Sequence, residues 1–203
     1  MKFRYSLLTF LIALFIVSGC GPTQSVTRTA ADSGGDLSGR WNETDARLVA
    51  DEMITDALTG GWLNRFNQSA NNPPVVIVGR VRNESMEHID TEVFTKEMER
   101  AFINSGHVSI VASADERIGI RDERMDQQSQ ASLETASALA EEIGADFMLI
   151  GSINSIVDRT TDGRQQSVFY TVNLELVNVE NNQKVWIGNK QIRKMIERSS
   201  VRW

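Results

Sequence analysis

Side chains that could do chemistry are few in this chain of 203 residues. It contains one cysteine and two histidines. The sequence has no HExxH zinc-binding pattern, no Gly-x-Ser-x-Gly nucleophile elbow and no GxxxxGK[ST] phosphate-binding loop. A Ser–His–Asp triad depends on neighbours in space, and nothing in the sequence points to one. We therefore expect a protein that is not an enzyme and needs no cofactor.

The two histidines stand in different surroundings. His88 lies near Glu84, Glu87 and Asp90, which are residue types that can hold a metal ion. The alternative is an exposed loop that leads into a helix, with Asp90 already engaged as the N-cap. We favour the loop and predict no metal site. His107 follows the glycine that ends this helix, and we assign it to the surface.

The single cysteine ends an apolar run near the start of the chain. Lys2 and Arg4 precede the uncharged residues 7–17, which are too few for the roughly 20 residues that a helix needs to cross a bilayer. This length suits the apolar core of a secretory signal peptide. The segment VSGC at 17–20 resembles the lipobox of bacterial lipoproteins, which implies cleavage before Cys20 and lipidation of its thiol. The alternatives are a signal peptide with an unrelated cysteine and a single membrane anchor.

Lipidation makes Cys20 an anchor rather than a nucleophile or a metal ligand. Several acyl chains hold a protein stably at a membrane, because each buried methylene contributes about 0.8 kcal/mol. In lipoprotein sorting, Gly21 after the cysteine favours the outer membrane over retention in the inner membrane. We expect an outer-membrane lipoprotein that faces the periplasm, without an intramolecular disulfide because the chain has no second cysteine.

Composition divides the chain into three parts. Residues 1–19 are the predicted signal peptide. Residues 20–40 hold the anchor and a tether. The tether has too few large apolar residues for their burial to offset the conformational entropy lost on ordering, so we expect a flexible coil with an end-to-end distance of roughly 25 Å. Residues 41–203 form the predicted globular domain. Removing 1–19 takes two positive charges from a net charge of -6 and leaves about -8, which argues against nucleic acid as a partner.

Three amphipathic segments predict helices. Residues 41–58 carry apolar groups at the i, i+3, i+4, i+7 spacing of a helix with one buried face. A second helix begins after the N-cap Asp90 and ends at Gly106. The third is predicted over 131–144. The charged and amide-rich residues 113–130 predict an exposed helix-turn segment.

Five segments predict strands. The segment PPVVIVGRVRN at 73–83 predicts the first strand, and its run VVIV at 75–78 is continuously apolar, which is typical of a strand that is buried on both faces. A short strand follows at 108–112, and three longer strands are predicted at 146–157, 167–179 and 184–194. The second of these alternates apolar and polar residues, as a half-buried strand does. The predicted fold is α+β, with a mixed sheet of about five strands that is packed by three helices and ends in an antiparallel meander.

Three segments resemble the LpoB family of lipoproteins, which activate penicillin-binding proteins. They are VVIVGRVRNESMEHIDTEVFTKEMERAFINSGHVSIV at 75–111, IGADFMLIGSINSI at 143–156 and LELVNVENNQKVWIGNKQI at 174–192. The resemblance covers nearly all of 41–194 in order. It implies a domain similar to the N-terminal domain of TolB. It also implies an outer-membrane lipoprotein that binds and activates a class A penicillin-binding protein, which is a bifunctional peptidoglycan synthase.

The alternative function is a structural or assembly lipoprotein that scaffolds a cell-envelope complex without activating an enzyme. One feature departs from the family, because the tether in 20–40 is short and is not rich in proline. Such a tether collapses to a coil, whereas a proline-rich linker is a semi-rigid spacer of about 3.1 Å per residue. Either the partner lies nearer the outer membrane, or the family is broader than its activator function.

We predict a partner-binding surface at the loop between the first strand and the following helix, together with the strand after the third helix. Its residues are Arg82, Asn83, Glu84, Ser85, Asn154 and Ser155. For Asn83 the alternative is a turn in which the side chain hydrogen-bonds its own backbone.

Overall fold

The computed structural model of the chain describes Arg28, residues 38–130 and residues 144–198. All the helices and strands below lie in one compact unit, Gly35–Trp203. The predicted signal peptide, the anchor at Cys20 and most of the predicted tether lie outside the described residues. Among the described residues, no helix combines the length and the apolar character needed to cross a bilayer.

The described residues form four helices, α1 (Glu43–Thr59), α2 (Gly61–Ser69), α3 (Thr91–Ser105) and α4 (Ala114–Gln130). The first and third confirm two of the predicted helices. The charged segment predicted as a helix-turn is one continuous helix, α4, of 17 residues. The helix predicted over 131–144 lies outside the described residues, apart from Gly144.

Side-chain caps fix the starts of the two packed helices. At α1, Asn42 Oδ1 accepts a hydrogen bond from the Asp45 N–H at 3.1 Å, and Asp45 Oδ2 accepts one from the Asn42 N–H at 3.0 Å. This reciprocal pair is a capping box, which satisfies two backbone donors that the helix leaves free. At α3, Asp90 caps the first turn through the Glu92 N–H, and Gly106 ends the helix with a φ of 67°.

Five strands form one mixed sheet in the order β2-β1-β3-β4-β5. The strands are β1 (Val75–Glu84), β2 (Ser109–Val111), β3 (Phe147–Arg159), β4 (Gln165–Asn178) and β5 (Lys184–Glu197). β1 is parallel to both β2 and β3, whereas β3, β4 and β5 form an antiparallel meander. This confirms the predicted α+β fold and its five-stranded mixed sheet. The similarity to the TolB N-terminal domain stays a prediction.

Helices α1 and α3 pack on one face of the sheet, and the core lies between them and that face. On β4 the alternate residues Val168, Tyr170, Val172, Leu174 and Leu176 are all buried there. The other face of β3, β4 and β5, which we call the open face, carries side chains that are half-buried or exposed. The predicted alternation of β4 is therefore confirmed, and it separates the core from the open face.

Candidate interaction surface

The sheet brings all six predicted partner-binding residues together, although it places them differently from the prediction. Arg82, Asn83 and Glu84 are the last residues of β1 rather than part of a loop, and Ser85 is the first residue after the strand. Asn154 and Ser155 lie within β3. The parallel pairing of β1 and β3 sets Glu84 opposite Asn154. Assigning Arg82, Asn83 and Glu84 to a loop was wrong: the predicted strand at 73–83 already reached Asn83, and pairing with β3 carries β1 one residue further, to Glu84.

A β-bulge decides which way the end of β1 faces. Val76 and Val78 point into the core, and simple alternation would place Arg80 and Arg82 there as well. The register shifts between Val78 and Val81, so that Val81 becomes the next buried residue, with 1% exposure. The extra residue of a bulge turns the rest of a strand over. Arg82 therefore reaches the open face instead of the core.

Three of the predicted residues share the open face and contact one another. Arg82 Nε lies 3.1 Å from Glu84 Oε1, and Asn154 Nδ2 donates a hydrogen bond of 2.9 Å to Glu84 Oε2. Both oxygens of the Glu84 carboxylate are thus held by neighbours from two strands. This arrangement presents a guanidinium, a carboxylate and an amide in fixed positions to an approaching surface.

The other three predicted residues hold the loop that follows β1. Asn83 Nδ2 donates to the carbonyl of Glu87 at 2.8 Å, and Asn83 Oδ1 accepts from the Ser85 N–H at 3.0 Å and from its hydroxyl at 2.7 Å. Ser155 Oγ accepts from the Met86 N–H at 3.0 Å. These contacts are those of a turn that bonds its own backbone, the alternative considered for Asn83. Asn83, Ser85 and Ser155 position the loop.

A band of polar side chains continues from β1 across the open face. Pairing aligns Ser152 with Asn173 and Asn189, and it aligns Asn154 with Thr171 and Gln191. Asn189 Nδ2 donates a hydrogen bond of 2.6 Å to Asn173 Oδ1. We call the whole set the polar band: Arg82, Glu84, Ser152, Asn154, Thr171, Asn173, Asn189 and Gln191.

Apolar and aromatic groups border the polar band. Ile156 and Ile187 are 66% and 62% exposed, and the Arg193 guanidinium lies 5.4 Å from the centre of the Phe169 ring. Protein interfaces are enriched in arginine and aromatic residues around a well-packed centre. Sequence reasoning missed Ser152 of β3 and the β4 and β5 members of the band, although the polar positions of the alternating β4 and β5 patterns were an available signal.

The start of the domain is fixed against the helix-covered side of the sheet. Glu87 Oε1 accepts a hydrogen bond from the Tyr170 hydroxyl at 2.8 Å, and Glu87 Oε2 accepts one from the Trp41 N–H at 3.2 Å. The Trp41 ring packs edge-on to Tyr170 with 5.6 Å between centroids. Burial, and after it the nearby Glu87 carboxylate, raises the pKa of the Tyr170 phenol well above its usual value.

A buried ion pair supports the same region. Lys194 Nζ lies 2.5 Å from Asp45 Oδ2, and the two side chains are only 7% and 8% exposed. Lys194 Nζ also donates a hydrogen bond of 2.9 Å to the carbonyl of Arg40. The last residues of the predicted tether therefore contact the domain.

Within the part of the chain that the structure describes, no group of three or more His, Cys, Asp or Glu residues is arranged to hold a metal ion. His88 is exposed in the loop before α3, and His107 is exposed after α3. The geometry around His88 gives no ligand set, since Glu87 is engaged by Tyr170 and Asp90 caps α3.

Comparison with known proteins identifies one family. The model of the family described as "Peptidoglycan-synthase activator LpoB" matches residues 45–192. That range includes the whole polar band and most of the core. No curated protein sequence matches the chain.

Several solved structures are similar to this chain at low sequence identity. The LpoB C-terminal domain from Salmonella enterica is 15% identical, with a TM-score of 0.46 over 74% of this chain and 99% of that one. The LpoB C-terminal domain from Escherichia coli is 16% identical, with a TM-score of 0.44 over 73% and 98%. Lipoprotein GNA1162 from Neisseria meningitidis is 16% identical, with a TM-score of 0.38 over 63% and 88%.

Proposed function

Because the chain belongs to the family of the peptidoglycan-synthase activator LpoB, we propose that it binds a class A penicillin-binding protein and stimulates its synthesis of peptidoglycan. The family match over 45–192 is the observation that carries this proposal. In this function the chain acts by binding and performs no chemistry of its own. Few side chains of the sequence could catalyse a reaction, since it has one cysteine and two histidines, and this supports a mechanism of binding alone.

The polar band is the surface that we assign to the synthase. Arg82, Glu84 and Asn154 form a connected part of the band, because the Glu84 carboxylate lies 3.1 Å from Arg82 Nε and accepts a hydrogen bond of 2.9 Å from Asn154. Preorganised polar groups lose little conformational entropy on binding, and their charges favour a partner with a complementary pattern. The loop beside this surface is held in position by Asn83, Ser85 and Ser155, which we do not expect to contact the synthase directly.

The anchor belongs to the same proposal. Cleavage of residues 1–19 exposes Cys20 for acylation, which holds the domain at the periplasmic side of the outer membrane. The VSGC segment at 17–20 and the apolar run before it support this location. Cys20→Ala tests it, because the variant should be neither acylated nor cleaved at this site. A variant that has the mass and the membrane fractionation of the wild type would contradict the anchor.

Binding measured on matched variants tests the surface. The full chain should bind the class A synthase of its own organism, and Arg82→Ala combined with Asn154→Ala should weaken the affinity by about thirtyfold if these residues are central to the interface. The control is Arg100→Ala with Asn64→Ala, which removes an arginine and an asparagine from exposed positions on α3 and α2. Equal affinities for the two double variants would remove the polar band from the interface.

A further inference from the structure

A groove of about 900 Å³ lies beside the β1–α3 loop, and none of the residues that line it belongs to the polar band. Residues Ser38–Trp41 form one wall, and Met86–His88 form another. The ends of β3 and β5 contribute Arg159 and Arg198. We call this the tether groove, because one wall is the segment through which the predicted tether enters the domain.

The tether groove is basic in a protein that is otherwise acidic. Arg40, Arg159 and Arg198 line it and are exposed. Among the described residues, none of these three guanidinium groups makes an ion pair, whereas the whole chain has a net charge of -6. The one carboxylate in the groove, Glu87, has both oxygens occupied by the Tyr170 hydroxyl and the Trp41 N–H. The groove therefore offers three unneutralised cations to an anionic ligand.

We propose that the tether groove binds the phosphate headgroups of anionic lipids in the membrane that carries the anchor. Guanidinium groups match phosphate oxygens by two parallel hydrogen bonds, which makes arginine well suited to this ligand. A basic residue near an anionic membrane surface contributes about fivefold to the affinity. The proposal rests on the anchored location given above and adds a second membrane contact to the lipid.

Two observations favour a lipid surface over an acidic protein segment. Met86 stands beside the arginines with 80% of its surface exposed, and an apolar side chain next to basic ones is typical of contacts at the membrane interface. Cys20 precedes Ser38 by about 18 residues, and the coil predicted for them from composition would span roughly 23 Å. A tether of that length keeps the groove at a high effective concentration near the headgroups.

A fluorescent probe in the groove tests the proposal on the full chain. Met86→Cys introduces the one cysteine other than Cys20, and a polarity-sensitive dye on it reports contact with lipid. The labelled protein is mixed with vesicles of phosphatidylethanolamine, with or without phosphatidylglycerol. We expect a blue shift only with phosphatidylglycerol, and we expect high salt to reverse it. The measurement does not require the acyl chain. In an unacylated protein that also carries Cys20→Ser, the dye reacts with the cysteine of Met86→Cys alone, and the same shift should appear at higher vesicle concentration.

Matched variants assign the shift to the arginines. Arg159→Gln with Arg198→Gln should raise the vesicle concentration needed for half of the shift by about 25-fold, because two cations are lost. Arg47→Gln with Arg65→Gln makes the same change of net charge on exposed positions of α1 and α2, and it should have little effect. A dye at Ile187→Cys, on the open face of β5, should not respond to vesicles.

Any of four results would overturn the proposal. A shift that is equal on both kinds of vesicle, or that is unaffected by the Arg159/Arg198 pair, would show that the arginines do not hold lipid phosphate. A shift with inorganic phosphate alone at matched ionic strength would identify a site for free phosphate instead. A shift with the purified synthase but not with vesicles would assign the groove to an acidic protein. No synthase is present in the vesicle measurement, so its failure is distinguishable from failure of the proposed activation.

Discussion

At the scale of single residues, Glu87 in the β1–α3 loop connects this loop to the start of the domain and to β4. It accepts hydrogen bonds from Trp41 at the start of the domain and from Tyr170 in the middle of β4. Near this cluster, Lys194 of β5 pairs with Asp45 of α1 in a site that is almost closed to water. These buried polar contacts fix where the chain enters the domain, and each gives a measurable prediction.

The raised pKa of Tyr170 predicts how stability depends on high pH. An ordinary tyrosine ionises near pH 10, whereas burial and Glu87 keep the Tyr170 phenol protonated in the folded protein. Because folding raises this pKa, Tyr170 makes its full contribution to the free energy of unfolding below pH 10. That contribution is lost as the pH rises toward the pKa of Tyr170 in the folded protein. Without residues 1–19, Tyr170 is the sole tyrosine, so phenolate absorbance reports it alone.

We expect no phenolate absorbance near pH 10 while circular dichroism shows a folded protein. The absorbance should appear only at higher pH, together with unfolding. Tyr170→Phe should lack both the absorbance and this part of the fall in stability above pH 10. Titration of the phenol at its ordinary pKa in the folded state would contradict the cluster.

The Lys194–Asp45 pair predicts a large difference between two lysines on one strand. Lys194→Ala leaves the Asp45 carboxylate buried without its cation, and such a change costs about 3 to 5 kcal/mol of unfolding free energy. Lys190→Ala breaks an exposed pair with Glu52, whose side chain is 60% exposed, and should cost less than about 1 kcal/mol. Urea unfolding of both variants measures the two costs. Equal losses would show that Lys194 is not held as the structure indicates.

At the scale of elements, the end of β1 combines two roles on its two sides. The side that faces helices α1 and α3 holds the loop through Asn83, and the open side presents Arg82 and Glu84. A strand separates the roles of neighbouring residues in this way because successive side chains point to opposite faces. Variants of adjacent residues should therefore behave differently.

Asn83→Ala and Arg82→Ala test that separation. Asn83→Ala removes four hydrogen bonds of the loop and should cost about 1 to 2 kcal/mol of stability. Arg82→Ala breaks one exposed ion pair and should change stability by less than about 1 kcal/mol. Thermal melting of the two purified variants provides the comparison. A larger loss for Arg82→Ala would place its side chain in a structural role.

The difference between local and non-local signals explains which elements the sequence predicts. Caps and apolar spacing are local, so Asp90 and Gly106 define α3 correctly. The bulge after Val78 is not visible as a pattern, and it decides that Arg82 lies on the open face. The pairing of Glu84 with Asn154 joins residues 70 positions apart, which only the folded sheet reveals. Sequence reasoning therefore identified six residues that the folded sheet brings together, but neither the division of their roles nor the other members of the polar band, and the binding role of the surface stays a prediction.

At the scale of the whole molecule, the entry of the chain into the domain sets how far the domain can move from its anchor. The carbonyl oxygen of Arg40 accepts a hydrogen bond from Lys194 at 2.9 Å, and that of Gly39 lies 3.3 Å from the Tyr170 hydroxyl, whose single proton is shared with Glu87. These contacts belong to residues that composition alone assigned to the tether. They shorten the part of 20–40 that is available to span distance.

Two deletions distinguish tether from domain. Removing 25–36 should leave the melting temperature of the protein unchanged, because this composition buries little apolar surface. Removing 1–40 leaves a chain that begins at Trp41, without the backbone carbonyl groups that contact Tyr170 and Lys194, and should lower the melting temperature by several degrees. A loss of stability from the shorter deletion would show that 25–36 packs against the domain.

The rate of glycan polymerisation by a class A synthase tests the central claim most directly. The full chain, titrated into the synthase of its own organism, should raise that rate to a plateau, because a binding activator saturates. The Arg82/Asn154 double variant should need about thirtyfold more protein for half of the effect, whereas the Arg100/Asn64 control should match the wild type. A chain that binds the synthase and leaves its rate unchanged would contradict activation and favour a scaffold. A chain that does not bind at tens of micromolar would contradict the partnership itself.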